Sequence, residues 1–382
     1  MKKIRILFIQ YKLVCGGAEQ ALFDLVSMMD KSKFEITVLA LYGGGEWENK
    51  FKEAGIQVVN VLVRRQHNNP TGFLRHQYRK YRILHYLKHN PRGLVNWLFP
   101  DGMDIVVSYS NWECDEFSLA EHTKTVRFVH GDISTNEGYW ESIKRITDLL
   151  PEYDRIVCVS KRAADSFCDM TGVRDSVCVC YNPIKSSNVL SQAQQNVELP
   201  DDLPMMCAVG RLAPEKGYCR LVQIHRRILD RGIRHRLVIV GDGTEMQNIL
   251  RTIEETKTED TVILAGYQAN PYPYMRKSQF VVCSSFTEGL PVIAMEALIL
   301  GIPLVSSAPS VEEAFGEECC GIITENDDKS LEEGIVSMFC DQVLFEQACQ
   351  GAKNRSAMFD ETYMVQKVEK VFLDLMQEET DR

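Results

Sequence analysis

The chain has 382 residues, of which 45% are hydrophobic and 25% charged, and its formal net charge is −10. These proportions predict a globular protein of about two domains and argue against nonspecific nucleic-acid binding by the whole surface. No apolar run is long enough to span a bilayer, and Arg5 interrupts the first one, which favours a strand over a signal peptide. The 13 cysteines include no C-x-x-C pair, which is typical of reduced thiols in a cytoplasmic protein.

Short apolar segments alternate with segments of helical periodicity along the chain. The predicted strands are 4–10, 35–41, 58–63, 105–109, 125–130 and 155–160 in the first half, and 205–209, 236–240, 262–265, 279–283 and 303–306 in the second. This alternation is typical of doubly wound parallel sheets. We therefore predict an α/β protein of two Rossmann-like domains, with ligands bound at the carboxyl ends of the strands in an interdomain cleft.

Polar composition marks the boundary between the predicted domains. Residues 187–202 are rich in Ser, Gln and Asn and lack apolar periodicity, so we predict a linker there. The linker separates a first domain over 1–186 from a second domain over 203–358. Residues 359–382 include an amphipathic helix that we expect to cross back to the first domain.

Two carboxylates with seven residues between them form the most informative pattern in the second domain. Glu288 lies in a Gly- and Pro-containing turn after the apolar run 280–283, and Glu296 lies on the segment that reads as the next helix. A strand, turn and helix start of this kind directs backbone N–H groups at an anion. With Pro291 in the first helical turn, where its missing N–H costs nothing, both carboxylates are expected to face one ligand.

A basic loop opens the second domain after its first strand. Gly210 permits a close approach, and Arg211 and Lys216 lie five residues apart before a helix. A guanidinium fork and an ammonium point charge suit a diphosphate. The alternative interpretation is that both cations are solvated and Gly210 only makes a turn.

Further candidates lie at other predicted strand ends. Gly16 and Gly17 can bring backbone N–H groups near a phosphate, although the full G-x-G-x-x-G pattern of a dinucleotide site is missing. Gly243 is explained by local turn structure, with a place beside the cleft as the functional alternative. His130 ends a strand of the first domain, either as a hydrogen-bonded rim residue or as a functional residue of the cleft.

In this order, the motifs resemble those of the retaining family 4 glycosyltransferases that build bacterial capsules, exopolysaccharides and lipopolysaccharides. That family has the GT-B fold of two facing Rossmann-like domains. The matching residues are Gly16-Gly17-Ala18-Glu19, His130-Gly131, Ser160, Tyr181-Asn182-Pro183-Ile184, Gly210-Arg211, Lys216-Gly217, Gly241-Asp242-Gly243, Glu288-Gly289-Leu290-Pro291 and Glu296. The second-domain motifs are the more specific ones.

The resemblance implies a role for each matched residue. Arg211 and Lys216 neutralise the donor diphosphate, Glu288 holds hydroxyls of the donor sugar, and Glu296 binds the ribose. His130 lies near the sugar and acceptor and joins Arg211, Lys216 and Glu288 as a catalytic residue. The other implied donor-binding residues are Gly16, Gly17, Gly210, Gly243, Gly266, Tyr267, Gly289, Leu290 and Pro291, with Gly266 and Tyr267 beside the base.

These roles imply retaining transfer of a hexose or N-acetylhexosamine from a nucleotide sugar, with UDP the expected carrier, to a cell-surface glycan or lipid-linked acceptor. No D-x-D follows a strand of the second domain, so no metal and no other cofactor is expected. Double displacement through Glu288 and same-face attack remain open as routes to retention. The alternatives are a sugar-nucleotide 2-epimerase of the same fold and a non-catalytic sugar-binding protein.

A basic segment without acids contrasts with the acidic chain around it. Between Ala54 and Pro100 there is no Asp or Glu, and the basic residues are Arg64, Arg65, Arg75, Arg79, Lys80, Arg82, Lys88 and Arg92, with His67, His76, His85 and His89. The predicted apolar stripe beside them is Phe73, Leu74, Tyr78, Tyr81, Leu84 and Leu87. We therefore expect residues 64–99 to contact an anionic membrane surface, peripheral on the inner face of the cell membrane. The alternative is a helix packed inward with its charges in water.

Overall fold

The computed structural model describes residues 2–14, 16–43, 45–62, 70–109, 115–134, 137–288 and 290–378, with the backbone alone for residues 70–76, 115, 137 and 139. The chain divides into two compact units. The first comprises Met1–Pro183 with Thr362–Arg382, and the second comprises Ile184–Glu361. Each unit contains a parallel sheet with helices between its strands, which confirms the prediction of two Rossmann-like domains.

Parallel strands form a single sheet in the described part of the first unit. They are β1 Ile4–Gln10, β2 Phe34–Ala40, β3 Gln57–Asn60, β4 Ile105–Ser108, β5 Lys124–Val129, β6 Arg155–Cys158 and β7 Val177–Val179. Their order is β3-β2-β1-β4-β5-β6-β7, so the sheet grows in opposite directions from β1 and β4. The loops after β1 and β4 therefore diverge at a topological switch point.

Helices cover this sheet on both faces. The described helices are α1 Gly17–Met28, α2 Glu48–Glu53, α3 Pro70–His89, α4 Gly93–Leu98, α5 Asp115–Ser118, α6 Glu137–Lys144 and α7 Lys161–Thr171. Successive residues of a strand point to opposite faces. Ile6 and Phe8 of β1 accordingly join one buried apolar cluster, and Leu7 and Ile9 join another. Burial on both faces explains why β1 reads as a nearly continuous apolar run.

The second unit repeats this architecture with a shorter sheet. Its described strands are β8 Met205–Val209, β9 Arg236–Val240, β10 Val262–Gly266, β11 Phe280–Cys283, β12 Leu304–Ser306 and β13 Gly321–Ile323. They are parallel, in the order β10-β9-β8-β11-β12-β13. β13 was not predicted, because it has only three residues and begins with glycine, which is too short an apolar run to indicate a strand. The switch point of this sheet lies between β8 and β11.

Part of the predicted linker is helical, which corrects the boundary drawn from composition. The described helices of the second unit are α8 Ser186–Gln192, α9 Tyr218–Asp230, α10 Met246–Thr256, α11 Tyr272–Lys277, α12 Val292–Ile299, α13 Val311–Phe315, α14 Asp328–Cys340 and α15 Gln342–Ser356. Val189 and Ala193 are buried, and the Asn270 side chain donates to the Gln192 carbonyl at 3.0 Å. Two small buried side chains were too few to give 187–202 a visible helical period.

The last helix, α16 Glu361–Gln377, packs on the first unit. Val365, Val368, Phe372 and Leu375 belong to the apolar cluster that contains β1. The Phe372 ring lies 6.0 Å from that of Phe8 in an edge-on contact. The chain thus returns to the unit in which it began. None of the helices in the described ranges is long and apolar enough to cross a membrane.

Two histidines form a buried hydrogen-bonded chain beneath the second sheet. His235 Nδ1 lies 2.9 Å from the Ile233 carbonyl, so it must carry a proton. Its Nε2 then accepts from His225 Nδ1 at 2.8 Å, and His225 Nε2 accepts from the Thr261 hydroxyl at 2.9 Å. In this arrangement both rings are neutral and each ring nitrogen has a partner. Burial lowers the pKa of His225 to about 3 and also lowers the pKa of His235.

We expect this pair to make the second unit sensitive to acid. Because the folded pKa values lie below the ordinary value of 6.5, the unfolded chain takes up protons first, and stability present above pH 6.5 is lost as pH falls toward 3. One such proton changes the free energy of unfolding by about 1.4 kcal/mol per pH unit. Urea unfolding, followed by circular dichroism between pH 7 and about 4, measures the free energy of unfolding at each pH. This free energy should fall less steeply with decreasing pH in His225→Gln than in the parent. His89→Gln, at an exposed position, is the control and should keep the parental slope; equal slopes in all three proteins would contradict the prediction.

Candidate active site

The loops that follow β8 and β11 lie side by side at the carboxyl edge of the second sheet. The two strands are neighbours at the switch point, where a parallel sheet opens a crevice for ligands. The β8 loop carries Lys216 and the β11 loop carries Glu288. The topology therefore brings together two charged residues that lie 72 positions apart in the sequence.

Lys216 and Glu288 form an ion pair at this crevice. The Lys216 ammonium donates to Glu288 Oε1, and the Ser285 hydroxyl donates to the same oxygen at 2.6 Å. Their side chains are 25% and 14% exposed, so water screens the attraction only in part. Burial alone would lower the pKa of Lys216, but the neighbouring Glu288 carboxylate outweighs it and raises that pKa above its ordinary value. Lys216 is therefore a fixed cation at neutral pH.

Arg211 lies on the same loop but has a different partner. Its guanidinium donates to the Glu215 carboxylate at 2.9 Å, and its side chain is 68% exposed. An exposed ion pair of this kind contributes only about 0–1 kcal/mol. A phosphate can therefore replace Glu215 at little cost. The structure brings Lys216 and Glu288 together and holds Arg211 apart from them in a surface pair.

The buried Arg220 side chain of α9 connects three loops of the site. Its guanidinium donates to the Ser284 carbonyl at 2.7 and 3.1 Å, to the Ser307 hydroxyl at 2.6 Å and to the Asn326 side chain at 2.9 Å. It also lies 4.2 Å from the ring centre of Phe286. Asn326 in turn donates to the Phe286 carbonyl at 2.6 Å. These contacts fix the backbone at the start of the β11 loop.

The β8 and β11 loops are also joined through their backbones. The Phe286 amide donates to the Glu215 carbonyl at 2.8 Å, and the Ser284 hydroxyl donates to the Lys216 carbonyl at 2.8 Å. The position of Lys216 is therefore coupled to that of the loop that carries its partner. Such coupling preorganises the charges before any ligand arrives.

Glycine turns join the carboxyl ends of β8, β9 and β10. Gly241 has a φ of +151°, and a Cβ there would lie 1.9 Å from the Gly210 carbonyl oxygen, so a side chain would collide with the backbone. The Gly241 amide donates to the Gly266 carbonyl at 2.8 Å, and Gly243 packs against the β8 loop. Tyr267, which follows Gly266, is 53% exposed. These turns place Gly210, Gly243 and Gly266, three of the predicted donor-binding glycines, along one edge of the sheet.

Glu296 lies in the second turn of α12 and has its own partner. It is buried and accepts from the Tyr272 hydroxyl of α11 at 2.8 Å. Pro291 has an extended conformation and directly precedes the helix, which begins at Val292. The helix therefore begins one residue later than a first turn that included Pro291. Leu290 is buried beside it, and Gly289 lies outside the described residues. The two glutamates thus have different neighbours at the same edge of the sheet.

In the first unit, Gly16 and Gly17 lie where β1 passes into α1. Gly16 precedes the helix and Gly17 is its first residue. Glu19, in the first helical turn, accepts from the Gln10 side chain at 2.9 Å, and its carboxylate lies against Gly16. The helix dipole favours an acidic group there. The helix N-terminus that the sequence predicts for a phosphate is therefore already in contact with a carboxylate of the chain.

His130 follows β5 at the carboxyl edge of the first sheet. Its Nε2 lies 2.7 Å from the Tyr109 carbonyl, which can only accept, so Nε2 carries the proton. Burial lowers the pKa of His130 to about 4, and the ring is neutral at pH 7. Nδ1 is then the acceptor of the ring. His130 is suited to receive a hydrogen bond from a hydroxyl and does not supply a positive charge.

Sequence reasoning missed the roles of several site residues. Ser285 could have been found, because a hydroxyl three residues before Glu288 on a turn can reach its carboxylate. Arg220 and Tyr272 gave no signal, since their partners are distant in the sequence. Within the described ranges, no group of three or more His, Cys, Asp or Glu side chains is arranged as around a metal ion.

Two family models match the chain, one in each half. Residues 15–188 match Glycosyltransferase Family 4, and residues 191–355 match Glycosyl transferases group 1. The matches adjoin and leave only the chain ends and residues 189 and 190 unmatched. The chain therefore belongs to the GT-B glycosyltransferases, which confirms the family resemblance of its motifs.

A curated relative and two solved structures illustrate the likeness. N-acetylgalactosamine-N,N'-diacetylbacillosaminyl-diphospho-undecaprenol 4-alpha-N-acetylgalactosaminyltransferase of Campylobacter jejuni is 28% identical over 232 residues, which cover 60% of this chain and 62% of that protein. The chain thus matches less than two thirds of that relative's length. HepE of Anabaena, solved with UDP and glucose, has a TM-score of 0.74 at 16% identity over 97% of this chain and 99% of its own. Sucrose-phosphate synthase of Thermosynechococcus elongatus has a TM-score of 0.75 at 13% identity over 98% and 100%. At these identities the two structures establish the fold alone.

Proposed function

We propose that this chain transfers a hexose or N-acetylhexosamine from a UDP-sugar to a cell-surface glycan or lipid-linked acceptor, with retention of anomeric configuration. The observation that carries the proposal is the Lys216–Glu288 pair at the switch point of the second sheet. This pair offers a cation for a diphosphate and an acceptor for sugar hydroxyls in one crevice. Family membership supplies the reaction class.

Lys216 acts on the leaving group. When the bond between sugar and phosphate breaks, negative charge develops on the departing diphosphate, and a prepositioned ammonium stabilises that charge without reorganisation. The raised pKa of Lys216 keeps it charged throughout the reaction. Arg211 exchanges its surface contact with Glu215 for the diphosphate and adds a second cation.

Glu288 orients the donor sugar. Within the described part of the chain, both of its contacts end on Oε1, and Oε2 is the oxygen to which a sugar hydroxyl donates. A carboxylate engaged by an ammonium and a hydroxyl is a weakened nucleophile. These contacts favour same-face attack, in which the departing phosphate oxygen takes the acceptor's proton, over double displacement through Glu288.

The remaining predicted residues complete the donor and acceptor contacts. Glu296, held by Tyr272, accepts from the ribose hydroxyls, and Tyr267 borders the base. The neutral ring of His130 accepts a hydrogen bond from a hydroxyl of the sugar or of the acceptor. The choice of UDP is supported by the ligand named with HepE, and that of a lipid-linked acceptor by the diphospho-undecaprenol in the name of the Campylobacter jejuni relative.

A donor panel tests the proposed activity. The full chain is incubated with UDP-glucose, UDP-galactose, their N-acetylhexosamine counterparts and GDP-mannose, and Tm and nucleoside diphosphate release are measured. We expect one UDP-sugar to raise Tm above the others, since a ligand at a hundred times its Kd adds about 2.7 kcal/mol of stability. We also expect slow UDP release from that donor, unchanged by a chelator.

Three other outcomes would contradict the proposal. Conversion of a nucleotide sugar to its isomer without diphosphate release would indicate an epimerase. Saturable sugar binding with neither product would indicate a binding protein. Release that stops with chelator and returns with a divalent cation would overturn the expectation of metal-free chemistry.

A further inference from the structure

The α3 helix presents an exposed face that combines aromatic, aliphatic and basic side chains. Tyr78, Tyr81 and Leu84 are 61%, 65% and 48% exposed, which places them among the most exposed large apolar residues described. Lys80 and Lys88 are exposed on the same side of this helix. We name this surface, made of Tyr78, Lys80, Tyr81, Leu84 and Lys88, the α3 outer face. Scattered exposed apolar residues are ordinary, but three within two helical turns form a patch.

A different side of α3 anchors it to the first unit. Ile83 is fully buried in an apolar cluster, and Tyr86 and Leu87 pack against that cluster. The Tyr86 ring stacks on Trp97 at 5.6 Å, and Arg82 lies 5.5 Å from the Tyr86 ring centre. The helix is therefore held in place by residues other than those of the α3 outer face.

This arrangement corrects the single apolar stripe expected from the sequence. The stripe divides: Leu87 faces the core, whereas Tyr78, Tyr81 and Leu84 face solvent. Phe73, Leu74, Arg75 and His76 lie where side chains are not described, and Arg64, Arg65 and His67 lie outside the described residues. All residues of the α3 outer face lie within 77–89, where side chains are described.

We propose that the α3 outer face docks on an anionic lipid surface. Tyrosines and a leucine enter the boundary between headgroups and acyl chains, while the Lys side chains beside them reach lipid phosphates. Charge complementarity selects this occupant: no Asp or Glu occurs between Ala54 and Pro100, in a chain whose net charge is −10. Anionic lipid repels the rest of the chain, which is acidic. The chain therefore approaches such a surface with the α3 helix turned toward it.

Charge also disfavours a second copy of the chain as the occupant. Two α3 outer faces brought together would oppose Lys80 and Lys88 to their own like charges, and the segment contains no acid to offset them. Docking on lipid is independent of the proposed transferase activity. Its test accordingly measures binding and needs no substrate.

Vesicle flotation tests the proposal with the full chain. We expect the protein to float with vesicles of equal parts phosphatidylglycerol and phosphatidylcholine at low salt, and not with phosphatidylcholine alone. High salt should reduce the bound fraction, because screening weakens the attraction of Lys and Arg to anionic lipid. Replacing Tyr78, Tyr81 and Leu84 with serine should lower the vesicle partition coefficient about tenfold or more. Lys80→Glu with Lys88→Glu should abolish binding while keeping the apolar residues.

A matched variant separates docking from a general loss of surface hydrophobicity. Leu250, Val343 and Tyr363 are 44%, 65% and 54% exposed on other helices, and their replacement with serine should leave flotation unchanged. Circular dichroism melts of all variants check that each is folded. Absence of flotation by the parent, equal binding to both vesicle types, or equal loss in the control variant would overturn the proposal. So would binding to an oligonucleotide in place of vesicles.

Discussion

Replacing Lys216 with alanine is expected to lower kcat/KM about a hundredfold to a thousandfold. The substitution removes the fixed cation that we place at the departing diphosphate, and loss of one preorganised charge-stabilising group has effects of this size. Initial rates of UDP release with the preferred donor, taken well below Tm, measure the effect. Lys353→Ala, an exposed position of the same unit, is the matched control and should leave the rate unchanged.

Stability must be separated from catalysis in this experiment. Removing Lys216 leaves the Glu288 carboxylate half-buried without its cation, which costs on the order of 2 kcal/mol. The double variant Lys216→Met with Glu288→Gln removes both charges and should regain much of that stability while remaining inactive. Wild-type turnover by a folded Lys216→Ala protein would refute the assignment. Recovery of activity together with stability in the double variant would show that the pair is structural.

Replacing Arg220 with alanine is expected to lower kcat/KM about tenfold to a hundredfold. This effect is expected even though, in our proposal, Arg220 does not contact the donor. Its guanidinium holds the Ser284 carbonyl, Ser307 and Asn326, and loss of these bonds releases the loop that carries Glu288. A misplacement of about 1 Å at a catalytic group can cost two orders of magnitude. We expect the fall mainly in kcat, because in the proposed function the loop orients the sugar while Lys216 and Glu296 bind the nucleotide.

Two further variants distinguish positioning from simple destabilisation. Arg220→Lys keeps the charge, but one ammonium cannot reproduce the planar fork, so recovery should be partial. Arg227→Ala on the same helix removes a surface pair with Glu332 and should leave kcat and KM unchanged. The Tm increment caused by UDP should persist in Arg220→Ala. Unchanged kcat in a folded Arg220→Ala protein would exclude the positioning role.

The sequence predicts some features of the site because they depend on neighbours along the chain. The glycine turn at Gly241 and the exposed cation Arg211 follow from local motifs. The same motifs do not reveal that Glu19 lies against Gly16, or that Arg211 pairs with Glu215, because several side-chain arrangements satisfy the same spacing. The helix inside 187–202 was missed because it buries few residues. Its sequence therefore shows almost no helical periodicity of apolar residues.

The sequence by itself determined the two parallel sheets, because apolar runs that alternate with amphipathic helices have few other ways to bury their surface. It also determined the family, through motifs spaced along most of the chain. Only the tertiary structure decided which charges meet. Lys216 and Glu288 become partners because β8 and β11, distant in sequence, are adjacent strands, and Arg220 reaches their loops from α9 for the same reason. Likewise, packing on Trp97 decided which side of α3 remained in solvent, a choice that helical periodicity left open.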